Sequence, residues 1–143
     1  MLQILNKDQE IATAALQTFH NGFTGGAEEI LFYIKNNFGE YYYEDITLKV
    51  EMADLVDGDI FSESGWSVKI VQQSEEPTEK EWGEIFVNNE INITSIGSSE
   101  TANVESLFPV WVRVFCPGHT APNIKSDMSL KLKYSKRLVG DNE

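Results

Sequence analysis

Cysteine occurs once in this 143-residue chain, at Cys116, so no disulfide can form within it. A single thiol is the usage of a reducing compartment, or of a particle assembled in a cytoplasm. Histidine is almost as scarce, with only His20 and His119. That counts against metal chemistry built on clustered imidazoles, such as that of a cupin-like barrel. No apolar run approaches the roughly 20 residues that a membrane-crossing helix needs. The opening residues Met1 to Asp8 lack a basic stretch followed by a long apolar one, so no secretion signal is expected. Phosphate-binding glycine loops, zinc-protease helices and serine elbows are also missing. No catalytic residue and no cofactor is expected.

Basic residues are in short supply too. Eleven Lys and Arg face 23 Asp and Glu, a formal net charge of -12. The imbalance is uneven. Lys125, Lys131, Lys133, Lys136 and Arg137 fall in the last 19 positions, and the preceding 124 residues carry a net of -14. Nucleic acid is a poor partner for such a chain, because clustered Lys and Arg dominate phosphate contacts. A basic surface or a dissolved cation suits it better, and the charge also serves solubility.

What is present is the material of a core. Apolar residues make up 41% of the chain, and 16 side chains are aromatic. This is enough for one domain spanning 1–143 without metal or disulfide staples. Period-two alternation recurs. Ile46, Leu48, Val50 and Met52 alternate with Thr47, Lys49 and Glu51; Trp66, Val68 and Ile70 with Ser67 and Lys69; and Met128 to Tyr134 with Ser129, Lys131 and Lys133. Ile91 and Ile93 flank Asn92. Each run reads as a strand with one wet face and one dry face. Glu29 to Lys35 is apolar on both parities and reads as an inner strand, and Glu81 to Val87 is a weaker strand candidate. Gln9 to Phe19 suits a short helix or a strand. The acidic stretch Ser74 to Glu84 reads as an exposed loop. Turn signals such as Asn36-Asn37-Phe38-Gly39, Asp57-Gly58-Asp59 and Gly97-Ser98-Ser99 separate the runs at sandwich-like spacing. With so little helix, two sheets must cover each other. The expected fold is an all-β antiparallel β-sandwich of about seven or eight strands, immunoglobulin-like or jelly-roll.

One run is apolar on both faces: Leu107-Phe108-Pro109-Val110-Trp111-Val112-Arg113-Val114-Phe115-Cys116-Pro117. Phe108, Val110, Val112 and Val114 form a core face. Trp111, Arg113 and Phe115 mix a charge with large rings, which is the composition of an interface. Arg113 could instead pair with an acid of its own chain or hold a ligand. Lys131 and Lys133, on the last strand, offer positive charge to the acidic face of another copy.

Other constellations have plainer alternatives. Asp54, Asp57 and Asp59 surround a glycine turn and offer oxygen ligands to calcium, but their spacing is not that of an EF-hand loop, and a solvated turn explains them. Cys116 and His119 have metal-ligand spacing, yet no second pair accompanies them, and a structural cysteine beside a turn is the simpler reading. No metal site is expected. Tyr41, Tyr42 and Tyr43, with Trp66 and Trp82, could stack on sugar rings, although rings at a strand start commonly serve the core. Asn92-Ile93-Thr94 matches a glycosylation sequon that has meaning only in a secreted chain.

Several stretches together resemble the small β-sandwich virion proteins of tailed bacteriophages, of the head-decoration or neck and tail accessory type. They are Ile30 to Asn37, Gly65-Trp66-Ser67-Val68-Lys69-Ile70, Glu81-Trp82, Ile96-Gly97, Phe108 to Val114, and the basic strand Asp127 to Lys133. The resemblance implies a non-enzymatic structural subunit, located in the virion after assembly in the host cytoplasm. It would act as a homo-oligomer bound to a capsid or tail lattice, with neither nucleic acid nor membrane as partner. A glycan-binding module of a host-attachment apparatus is the alternative.

Overall fold

The computed structural model describes residues 2–11, 15–20, 26–52, 66–82, 89–116 and 123–140. Eight strands make up about two thirds of it: β1 Leu2–Leu5, β2 Ala15–His20, β3 Gly26–Asn36, β4 Tyr41–Met52, β5 Ser67–Gln72, β6 Glu90–Ile96, β7 Phe108–Cys116 and β8 Asn123–Leu138. They form two antiparallel four-stranded sheets, ordered β1-β3-β7-β5 and β2-β8-β4-β6. The chain is an antiparallel β-sandwich. Where the sequence left Gln9 to Phe19 open between helix and strand, Ala15–His20 is a strand. Its partner β8 is long enough, at 16 residues, to pair with both β2 and β4.

Alternation decides which side chains fill the space between the sheets. Phe32 and Ile34 of β3, Val68 and Ile70 of β5, and Val110, Val112 and Val114 of β7 point inward from one sheet. Tyr43, Ile46, Leu48 and Val50 of β4, Ile93 and Ile96 of β6, and Leu130 of β8 meet them from the other. Each such side chain contributes about 1.5–3 kcal/mol of transfer free energy. The core face expected for Phe108, Val110, Val112 and Val114 is the one observed, with Phe108 half-buried at its end.

β4 needs one irregularity to do this. Between Glu44 and Thr47 it carries one residue more than β8 opposite, and Asp45 there adopts φ 51°. This is a bulge, and aspartate is among the few residues that tolerate the left-handed region. It turns the strand so that Tyr43 before it and Ile46 after it are both buried.

The crossing from β3 to β4 is made around one buried polar side chain. Asn36 is fully buried and donates from Nδ2 to the carbonyls of Tyr41 (2.7 Å) and Ala102 (3.0 Å). Its Oδ1 accepts from the Phe38 amide at 2.9 Å. Nearby backbone bonds tie in the end of β8, from Val139 N to Glu40 O (2.9 Å) and from Gly140 N to Ser99 O (2.7 Å).

Candidate functional site

Two places on the sandwich gather chemistry. The first is the outer face of the β1-β3-β7-β5 sheet. The register sets Glu29, Arg113 and Lys69 side by side across β3, β7 and β5, with Leu31, Trp111 and Val71 as the next row. After β5, residues 73–82 fold back over this face as a strap. A reciprocal cap starts its short helical turn: Glu81 Oε1 accepts from the Thr78 amide (3.0 Å), and Thr78 Oγ1 accepts from the Glu81 amide (3.2 Å). That is the Thr-x-x-Glu capping box. The turn lays Trp82 against the sheet with 1% of its surface exposed.

The strap is held by charge. Arg113 reaches Glu79 at 2.8 Å and Glu29 at 3.5 Å, and its guanidinium lies 6.0 Å from the centroid of the Trp82 ring. Lys69 Nζ donates to the Trp82 carbonyl at 2.6 Å. Burial, with the Arg113 charge next to it, lowers the proton affinity of Lys69. Glu29 is pushed the other way. Burial raises its carboxyl above the ordinary value, a hydrogen bond with Glu76 adds to this, and Arg113 opposes it. A raised carboxyl pKa in the fold means stability that is present below the ordinary carboxylate range and is lost as pH rises through the shifted value. The thermal midpoint of Glu29→Gln is therefore expected to exceed that of the parent at neutral pH and to converge with it in mild acid. A lower midpoint for Glu29→Gln at neutral pH would show that the pairing with Arg113 outweighs burial.

The strap changes how the Trp111, Arg113 and Phe115 face reads. Arg113 is met by two acids of its own chain. Trp111 is half-buried, and its Nε1 is enclosed with no hydrogen-bond partner among the described residues. Phe115 remains 39% exposed. The stretch expected as an exposed loop buries Pro77 and Trp82, and the strand expected from Glu81 opens instead as a helical turn, its remainder lying outside the described residues.

The second place is a corner where the β3–β4 turn meets the end of β8. Phe38 stacks on Tyr41, with centroids 5.6 Å apart and planes at 27°. Lys136 Nζ sits 4.4 Å from the Tyr41 centroid, and Tyr134 packs edge-on to Tyr43 at 4.9 Å. Phe38, Tyr41, Tyr134 and Lys136 line an open cleft of about 270 Å³. Leu138, paired with Tyr41 across the strands, is 52% exposed. Of the five large apolar side chains described as exposed, three are here: Phe38, Tyr134 and Leu138. Burial, with Tyr134 and Tyr41 close by, raises the Tyr43 phenol above its usual value.

The aromatic platform read from Tyr41, Tyr42, Tyr43 and Trp82 does not form as one surface. Tyr42 and Tyr43 are buried on β4, and Trp82 is buried on the outer side of the opposite sheet, under the strap. Of the three tyrosines, Tyr41 lines the corner cleft, and Phe38, Tyr134 and Leu138 beside it carry no site signature in the sequence. They are scattered over 100 positions and share only the end of an alternating strand and a turn.

Two of the bases on the basic strand are met by acids of the same chain. Lys131 lies 3.7 Å from Glu51, and Arg137 lies 2.8 Å from Glu44. Lys133 is exposed opposite Thr47. Asn92 is exposed on β6, and its Oδ1 accepts from Thr47 Oγ1 at 3.1 Å. Asp54, Asp57, Asp59 and His119 lie outside the described residues, as does the side chain of Cys116. Among the described residues, no three His, Cys, Asp or Glu side chains are grouped to hold a metal ion, and no helix is long and apolar enough to cross a membrane. No protein-family model matches the chain, and no curated protein or solved structure matches it.

Proposed function

We propose that the chain is a non-enzymatic structural accessory subunit of a bacteriophage particle, of the head-decoration type. In this reading it works as a homo-oligomer seated on a capsid or tail lattice. One observation carries the reading: a sandwich with a continuous apolar core, whose Arg113, Lys131 and Arg137 are met by acids of the same chain, still exposes Phe38, Tyr134 and Leu138 at a single corner. Clustered exposed rings beside a cation are the usual anchors of a docking surface. The all-β fold and the acidic charge fit a part that is presented in many copies and must stay dispersed before assembly.

The test is copurification. Particles assembled with the chain present should retain it at a fixed ratio through density-gradient banding. The double variant Phe38→Ala/Tyr134→Ala should be retained far less, with its circular dichroism unchanged. A chain that never bands with particles would overturn the reading.

A glycan-binding module of a host-attachment apparatus is the second reading, favoured by the cleft among Phe38, Tyr41, Tyr134 and Lys136. Phe38 has one face on Tyr41 and is 45% exposed, which leaves ring surface for sugar C–H bonds. A glycan array decides it. Binding that disappears in Phe38→Ala supports it, and silence across the array removes it. Trp82→Ala, the natural choice from sequence, would test the strap instead.

A further inference from the structure

We propose that the aromatic corner docks head-to-tail onto the strap-bearing face of a second copy of the same chain. This deepens the subunit reading above and rests on it. The corner presents Phe38, Tyr134 and Leu138 with Lys136 among them. Its best complement combines an apolar side chain with acids. The outer face of the β1-β3-β7-β5 sheet has that make-up. Phe115 is exposed there, and Glu75, Glu76 and Glu79 of the strap are exposed along it. Glu79 keeps 82% of its side chain in solvent even while it pairs with Arg113, so it can accept a second cation.

Charge favours a second copy over an unrelated surface. The first 124 residues carry a net of -14, whereas the last 19, which bring Tyr134, Lys136 and Leu138 to the corner, carry a net of +2. Arg137 and Lys131 are already paired with Glu44 and Glu51, so they add little pull of their own. Lys136 points its ammonium at the Tyr41 ring beside the open cleft, placed for an incoming carboxylate. Exposed charges of this kind set orientation and encounter rate, and the apolar contact supplies most of the affinity. The two surfaces lie on different sheets of one molecule. The contact is therefore heterologous, and it closes into a ring or runs on as a filament.

Two blocked variants test the contact. Lys136→Glu/Leu138→Glu spoils the corner, and Glu75→Lys/Phe115→Lys spoils the receiving face. All four positions are exposed, and none holds the strap or the core, so both proteins should keep the parent far-ultraviolet spectrum. In sedimentation equilibrium the parent should exceed the 16.2 kDa chain mass as concentration rises. Each variant alone should stay at the single-chain mass, with association weakened roughly thirtyfold or more. Mixed in equal amounts, they should recover a two-chain species, because each retains the surface that the other lacks. That complementation is particular to a head-to-tail contact.

A parent that is monomeric at every concentration would overturn the proposal, as would a mixture that stays monomeric. So would a receiving-face variant that still self-associates, since corner would then meet corner. A monomeric parent that nevertheless bands with particles would sink the self-contact alone and leave the subunit reading standing. Complementation by a chain that never bands with particles would support the contact and overturn the subunit reading.

Discussion

Replacing Asn36 with leucine is expected to destabilise the fold by about 3 kcal/mol, lowering the thermal midpoint by roughly 10 °C. Asn36 is fully buried and makes three hydrogen bonds, two donated to the carbonyls of Tyr41 and Ala102 and one accepted from the Phe38 amide. Leucine has similar bulk, so no large cavity opens. The loss comes from backbone groups left without partners where water has little access. The bonds join three separate pieces: the end of β3, the start of β4 and the loop before β7. Phe38 and Tyr41 belong to the corner cleft, so the same change should also disturb docking there. Calorimetry of Asn36→Leu and Asn36→Asp checks this. The aspartate keeps an acceptor for Phe38 but faces both carbonyls with no donor, and it should be nearly as damaging. A loss below about 1 kcal/mol in both would mean that water takes over these bonds.

Gly97→Ala is the second large effect, expected to cost about 3 kcal/mol. Gly97 has φ 87°, where L-residues are strained. A β-carbon there would lie 2.6 Å from the Thr101 carbonyl oxygen and 2.7 Å from that of Ala102. Both neighbours are backbone, so relief requires the loop itself to move. The Thr101 carbonyl is already held by the Ser98 amide at 2.7 Å. The Ala102 carbonyl is the one that receives Asn36 Nδ2. The two sites thus share an acceptor, and the double variant should lose less than the two single losses added together. Strict additivity in denaturant titrations would show that the loop absorbs the alanine without shifting Ala102.

Strand patterning was legible because side-chain direction in a strand depends only on parity. The inward set Val110, Val112 and Val114 on β7 follows from alternation alone, as does Leu48 and Val50 on β4. Where a local irregularity intervened, alternation failed. Asp45 inserts a bulge, so the odd-numbered Tyr43 and the even-numbered Ile46 both enter the core, and an apparent tyrosine platform becomes packing. The strap was half legible. Thr78 and Glu81 are a capping box in plain view, but the sequence does not say which surface the turn will cover. Arg113 found its partners at Glu29 and Glu79, 84 and 34 positions away. Long-range pairing of this kind leaves no local trace.

By itself, the sequence determined an all-β chain and excluded an internal disulfide, because alternation and composition act residue by residue. It also determined a strong acidic surplus with its few bases gathered late, because charge adds up whatever the fold. Only the tertiary structure decided which apolar side chains remain outside. The strap covers most of the Trp111 and Arg113 face, while Phe38, Tyr134 and Leu138 converge at the corner. Exposure is a property of how two sheets overlap and where a loop comes to rest. Both depend on contacts between residues far apart in the chain, which no local pattern records.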